Sequence, residues 1–147
     1  MSAGKHFFSQ EQVKQIEAAI KSAEENTSGE IRVHIEDRCK GEPLHCAAAV
    51  FHKLGMHKTL LRNGVLFYLA VKDRKFAAAG DEGINKNVPE GFWDSVCDKM
   101  LEKFKEEKFA EGLCEGISMA GQELKKYFPH ADSDKDELSN EVTFGRE

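Results

Sequence analysis

The feature that most constrains the fold is an uninterrupted apolar run over residues 65–71. Strands buried on both faces have continuous apolar runs of this kind, whereas half-buried strands alternate between apolar and polar residues. The run is also far shorter than the roughly 20 residues that a membrane-spanning helix needs. It therefore predicts a strand at the centre of a sheet, with helices packed on both faces.

Two neighbouring segments predict further strands. Residues 30–36 alternate strictly, with isoleucine and valine on one face and charged or polar residues on the other, as in a half-buried strand. After the apolar run, residues 72–74 form a short connection to a second apolar stretch at 75–79. A connection this short joins antiparallel strands, because a parallel crossover needs a dozen residues or more.

Helices are predicted around these strands. Ser9 and Gln12 fit a capping box at the start of an amphipathic helix, and further helices begin near Pro43, Pro89 and Phe109. The last of these contains three glycines that would let it approach a neighbour closely, namely Gly112, Gly116 and Gly121. The pattern predicts the α/β class, as a three-layer αβα sandwich with a mixed sheet of about four strands.

Length and charge define the expected organisation. The 147 residues suit one domain over residues 1–130, followed by an acidic tail over 131–147 that adds an edge strand near 141–144. The tail holds six acids and two bases. Residues 132–136 copy the opening of an EF-hand loop, but the glycine at position six and the glutamate at position twelve are absent. We therefore expect a solvated tail.

Composition also excludes several partners and locations. The net charge is −5 and no basic stripe is present, so nucleic acid is not an expected partner. The N-terminal residues lack the apolar core of a signal peptide, so we expect a cytoplasmic protein without membrane insertion. We also expect a monomer. The four cysteines have no C-x-x-C spacing and are expected to be free thiols packed as small apolar groups: Cys39, Cys46, Cys97 and Cys114.

Five segments, in order and spacing, resemble motifs of the TPM domain family: residues 28–33, 63–66, 73–75, 79–83 and 104–117. The similarity extends from about Phe7 to Phe128. It implies an αβα domain, loops that bind divalent cations, calcium especially, and a weak phosphatase activity. Many relatives also carry a signal sequence and a membrane anchor, so this chain resembles a stand-alone TPM domain. It has Arg62 where the family commonly has an acid before Asn-Gly-Val.

Two loops at strand ends carry the candidate metal ligands. Glu36 and Asp37 follow the first strand, and the loop after the third strand supplies Asp81, Glu82 and Asn85, with Asp94 in the next helix. Calcium and magnesium prefer carboxylate and carbonyl oxygens. If both loops lie at the same end of the sheet, their acids would face one another and need a counter-ion. We therefore predict that these six residues contribute to a calcium or magnesium site that orders the loops.

Other interpretations remain open. Each acid also suits a solvated loop position, and Asp94 suits the first turn of a helix, where the dipole favours an acid. A metal-dependent phosphatase or nucleotide hydrolase is the main alternative, with Arg62, Arg38 and Lys86 as the nearby cations and no assigned catalytic residue. A third possibility is a protein-interaction module that uses the acidic tail. Histidines 45, 52 and 57 are interpreted as surface residues.

Overall fold

The computed structural model describes residues 6–129 and 141–145. Its strands, in chain order, are β1 (Glu30–Glu36), β2 (Gly64–Ala70), β3 (Lys75–Gly80) and β4 (Thr143–Phe144). Its helices are α1 (Gln10–Glu24), α2 (Pro43–Lys53), α3 (Glu82–Asn85), α4 (Phe92–Phe104) and α5 (Phe109–Tyr127), with a 3₁₀ helix at Met56–Lys58.

The four strands form one mixed sheet in the order β3-β2-β1-β4. β1 pairs in parallel with β2, in a register that runs from Glu30 opposite Gly64 to Glu36 opposite Ala70. β4 also runs parallel to β1, whereas β2 and β3 form the predicted antiparallel hairpin. The mixed four-stranded sheet is therefore confirmed.

The strand directions decide where the loops lie. Because β1 and β2 are parallel, their carboxyl ends meet at one end of the sheet, which we call the carboxyl end of β1. β3 runs the other way, so its last residue, Gly80, lies opposite Val65 near the start of β2. The loop after β3 therefore leaves from the opposite end of the sheet, which we call the amino end of β1.

Helices cover both faces of the sheet. Ile31, Val33 and Ile35 of β1 belong to the larger core, to which α1, α4 and α5 contribute. A second cluster lies on the other face, where Leu66 and Tyr68 of β2 pack with residues of α2. All seven residues of β2 are buried, as the apolar run predicted. The three-layer arrangement follows, with β2 in the middle.

Two of the helices show how local sequence directs packing. The capping box of α1 is present, since the Ser9 hydroxyl accepts from the backbone N–H of Gln12 and the Gln12 side chain accepts from that of Ser9. In α5, Gly121 packs against Ala23 of α1 so closely that a Cβ at position 121 would lie 2.7 Å from the Cβ of Ala23. The expectation that a glycine lets this helix approach a neighbour is confirmed here.

Other features differ from the prediction or lie beyond it. The segment expected to be an irregular loop contains the short helix α3, and α4 begins at Phe92, later than Pro89. None of the helices in the described ranges is long and apolar enough to cross a bilayer. Thr143–Phe144 falls within the suggested range 141–144, while residues 131–140 of the tail, including the EF-hand-like stretch, lie outside the described residues. The domain boundary at 130 remains a prediction.

The contact between α5 and α1 predicts that Gly121→Val is destabilising. The added side chain meets Ala23, and overpacking of this kind lowers the free energy of unfolding by about 1–3 kcal/mol. The neighbouring exposed residue Gln122 provides the matched control, because Gln122→Val changes the free energy by about 0.5 kcal/mol or less. Urea unfolding followed by circular dichroism measures both values. Equal losses in the two variants would contradict the close approach.

Candidate functional site

The two acidic loops lie at opposite ends of the sheet. Glu36 ends β1 and Asp37 follows it, so both lie at the carboxyl end of β1, whereas Asp81, Glu82 and Asn85 follow β3 at the amino end. The condition under which the two loops would face one another is therefore not met, because β3 runs antiparallel to β2. Within residues 6–129 and 141–145, no group of three or more histidine, cysteine, aspartate or glutamate side chains is arranged to hold a metal ion.

At the amino end of β1, an arginine already neutralises the predicted ligands. Asp81 is buried and caps α3, where its carboxylate accepts from the backbone N–H of Glu82 at 2.7 Å. Arg62 donates to the same carboxylate through Nε at 2.8 Å and Nη2 at 2.9 Å, and Nη1 lies 3.4 Å from Glu82 Oε1. The bond to Asp81 raises the pKa of Arg62. The guanidinium thus lies where a counter-ion for these acids was expected.

The other two predicted ligands at this end have structural roles. The Asn85 side chain donates through Nδ2 to the carbonyl of Gly80 at 2.9 Å and accepts from Trp93 Nε1 at 2.8 Å. It therefore ties α3 to β3 and to the start of α4. Asp94 lies in the first turn of α4, the position in which a helix dipole favours an acid.

At the carboxyl end of β1, Glu36 belongs to a hydrogen-bonded network across three strands. Its carboxylate accepts from the hydroxyl of Tyr68 through Oε2, and its Oε1 lies 3.1 Å from His34 Nε2. His34 Nδ1 in turn lies 2.7 Å from Thr143 Oγ1 of β4. Burial lowers the pKa of His34, while burial and the nearby Glu36 carboxylate raise the pKa of Tyr68. Tyr68 therefore remains a hydrogen-bond donor at neutral pH.

The network was not predicted, although the sequence contained one signal for it. The alternation in β1 places its polar side chains on the α2 face of the sheet, opposite the isoleucines and valine of the larger core. The parallel register then brings His34 beside Tyr68. Glu36, which was predicted to be a metal ligand, instead links these side chains.

Asp37 and Asp73 lie on two neighbouring segments of the chain at the carboxyl end of β1, where backbone pairing continues past β1. Asp37 is 6% exposed, and its Oδ2 lies 3.6 Å from Lys72 Nζ. The backbone N–H of Lys72 donates to the carbonyl of Asp37 at 2.8 Å. Asp73, in the turn between β2 and β3, accepts from the N–H of Cys39 at 2.8 Å and from Arg38 Nη1 at 3.1 Å. Asp73 was not among the predicted ligands.

The loop over residues 37–42 is fixed by a disulfide and a lysine. Cys39 and Cys46 are joined in a disulfide, so the expectation of free thiols was wrong for this pair, whereas Cys97 and Cys114 are free. The spacing of seven residues between Cys39 and Cys46 matches no sequence motif that would have predicted the disulfide. Lys75 Nζ donates to the carbonyls of Cys39 at 3.0 Å and Gly41 at 2.8 Å. Two carbonyl oxygens of this loop therefore contact a cationic group.

The architecture is that of an αβα sandwich with acidic loops at both ends of its mixed sheet, and comparisons with known proteins assign it further. The model of the TPM domain family matches residues 2–123. The BA42 protein from the psychrophilic bacterium Bizionia argentinensis, solved by NMR, is 46% identical over 95% of this chain and 96% of that one, with a TM-score of 0.87. The chain belongs to the TPM domain family. A search of curated proteins found no match.

More distant structures share the fold alone. The N-terminal domain of a protein from P. gingivalis is 20% identical, with a TM-score of 0.67 and 84% of this chain and 82% of that one covered. The N-terminal domain of the cg2496 protein from Corynebacterium glutamicum is 14% identical, with a TM-score of 0.63 and coverage of 95% and 81%. Both support the order of layers described above.

The two arginine–aspartate pairs are predicted to differ in their effect on stability. Arg62→Ala leaves the buried Asp81 without its two parallel hydrogen bonds, so we expect a clear fall in the unfolding temperature. Arg62→Lys should restore only part of it, because an ammonium does not make the same paired contact. The control is Arg38→Ala, which removes a pair with an arginine side chain 68% exposed and should change the free energy of unfolding by less than about 1 kcal/mol. Equal melting temperatures for the two alanine variants in differential scanning calorimetry would contradict this assignment.

Proposed function

We propose that the protein binds a divalent cation, calcium or magnesium, at the carboxyl end of β1, with Asp37 and Asp73 as the principal oxygen donors. The observation that supports this most is the buried carboxylate of Asp37, which is 6% exposed and lies at the carboxyl end of β1 beside Lys72. A buried carboxylate needs a compensating positive charge, and a divalent ion can supply it. Glu82 and Asp81 are not part of the proposal, since Arg62 already bonds to them.

The position in the fold also supports this end of the sheet. In open α/β sheets, ligands bind in the crevice outside the carboxyl ends of parallel strands, and β1 and β2 have such an end here. In the 37–42 loop at this end of the sheet, the carbonyl oxygens of Cys39 and Gly41 accept from the ammonium of Lys75, which lies at the start of β3. Carboxylate and carbonyl oxygens are the donor types that calcium and magnesium use.

The bound cation would compete with two of the protein's own side chains. Lys72 and Arg38 contact Asp37 and Asp73, and their side chains are 42% and 68% exposed. Ion pairs this exposed contribute little to stability, so both side chains can turn away into water at small cost. Two carboxylates are few ligands for calcium, and we therefore expect a dissociation constant of roughly 10⁻⁴–10⁻³ M. Occupancy would join the 37–42 loop to the β2–β3 turn and reduce the mobility of both.

Isothermal titration with calcium and with magnesium tests the proposal through two opposite substitutions. Asp37→Asn removes a ligand charge and should weaken binding by about tenfold or more. Lys72→Ala removes the competing ammonium and should strengthen binding. Unfolding of the variant could only weaken binding, so a gain in affinity cannot come from a loss of fold. The matched control is Asp94→Asn, which removes an acid from the first turn of α4 and should leave the affinity unchanged.

Two results would contradict the proposed site. One is the absence of binding heat in both the wild-type protein and Lys72→Ala at millimolar metal. The other is a loss of affinity in Asp94→Asn as large as that in Asp37→Asn, because it would mean that the ion binds to diffuse negative charge.

The alternatives gain no support from a particular contact. The phosphatase alternative needs a cation that can reach a phosphoryl group, and both named arginines already donate to carboxylates, Arg38 to Asp73 and Arg62 to Asp81. The interaction module depends on the acidic tail, most of which lies outside the described residues. Both remain predictions from the family resemblance and from charge.

A further inference from the structure

Two adjacent leucines project from the loop that enters β2. Leu60 is 86% exposed and Leu61 is 49% exposed, in the connection between the 3₁₀ helix Met56–Lys58 and β2. Single exposed apolar residues are common on soluble proteins, but neighbouring ones concentrated at a loop tip indicate a surface that meets an apolar partner. Neither leucine belongs to the core clusters or to the proposed metal site.

Both sides of the loop are held by buried residues and hydrogen bonds. Met56 and Thr59 are buried before them, and Asn63 is buried after them. The backbone carbonyl of Arg62 accepts from the N–H of Gly83 at 2.8 Å, and the Arg62 guanidinium bonds to the Asp81 carboxylate. Because the loop is held on both sides, binding through Leu60 and Leu61 does not require the loop to become ordered first.

The chain segment that carries the tip is rich in cations, although one of them, Arg62, bonds to Asp81 and Glu82. Residues 52–62 contain none of the 26 acids, and they include three lysines and arginines and two of the six histidines. Lys53 and Lys58 are exposed, and neither forms an ion pair with any residue in the described ranges. His52 and His57 stack with ring centroids 4.1 Å apart, which places the end of α2 against the 3₁₀ helix that precedes the tip.

We propose that this loop docks the domain on an anionic lipid surface. Leu60 and Leu61 would enter the boundary between headgroups and acyl chains, while Lys53 and Lys58 contact the anionic headgroups. An apolar tip with cations set behind it matches the layers of such a membrane, which is apolar inside and negative at its surface.

Charge argues against the other occupants of the tip. Two copies of the chain that met through their leucine pairs would bring Lys58 of each close to the other, and like charges would oppose the contact. A nucleic acid would be held by the cations without any need for two exposed leucines. Docking of two side chains differs from spanning a bilayer, and it is compatible with the lack of a membrane-crossing helix in the described part of the chain.

Flotation of the full-length chain with lipid vesicles tests the proposal. We expect binding to vesicles that contain about one-third phosphatidylserine, weak binding to phosphatidylcholine alone, and release by high salt. In Leu60→Ser/Leu61→Ser the partition coefficient should fall by about tenfold or more, because the apolar contribution of two leucines is lost. Lys58→Glu should weaken binding at low salt and have less effect at high salt.

The matched control is Leu44→Ser, which changes another exposed leucine, 60% exposed, at the start of α2. Its partition coefficient should stay within about twofold of the wild-type value. The leucines are exposed, so all variants should keep the wild-type circular dichroism spectrum. The proposal is overturned if the wild-type chain does not bind phosphatidylserine vesicles, if Leu44→Ser loses as much binding, or if the leucine pair instead mediates a dimer that Leu60→Ser/Leu61→Ser dissociates.

Discussion

The arrangement of this domain depends on one constraint, the parallel pairing of β1 with β2 followed by the antiparallel return of β3. Parallel pairing requires the long crossover through α2, which thereby covers one face of the sheet. The tight turn to β3 reverses the chain and sends the next loop to the other end. The two acidic loops are therefore separated by the length of a strand, and each has its own electrostatic environment.

Each end neutralises its acids in a different way. At the amino end of β1, Arg62 meets the buried Asp81 in a two-bond contact, which is strong and geometrically specific. At the carboxyl end, Lys72 and Arg38 contact the acids through side chains that are 42% and 68% exposed. This difference is the physical reason for locating the proposed divalent ion beside Asp37. An exposed lysine can be displaced by an ion of higher charge, whereas a paired guanidinium holds its position.

The strands could be predicted from sequence because their patterns are strong. The alternation over 30–36 gave the bounds of β1, and the apolar run over 65–71 gave a central strand shifted by one residue from β2. The four-residue helix α3 could not be predicted, since it is too short to show a helical period. The opposite placement of the two loops could have been derived, because residues 37–63 are long enough for a parallel crossover and the next connection is not.

The contacts of the site were less accessible from sequence. Asp81 and Glu82 were correctly placed after a strand, although Glu82 begins the helix α3 and does not lie in a loop. Their partner Arg62 lies 19 residues from Asp81 and has a positive φ of 52°. No local pattern reports such a pairing. The Cys39–Cys46 disulfide depends likewise on how the 37–42 loop lies against α2, and the bonds from Lys75 to the loop carbonyls depend on how β3 lies beside that loop. The spacing of these residues in the chain does not encode that packing.

An amide NMR titration of the wild-type protein with calcium, followed residue by residue, tests most directly whether the cation binds at the carboxyl end of β1 and not at the amino end. We predict that chemical shifts change at residues 37–42 and 71–75, at the carboxyl end of β1, and stay constant at residues 80–85, where Arg62 already bonds to the acids. Changes confined to residues 80–85, or to the acidic tail, would contradict the account.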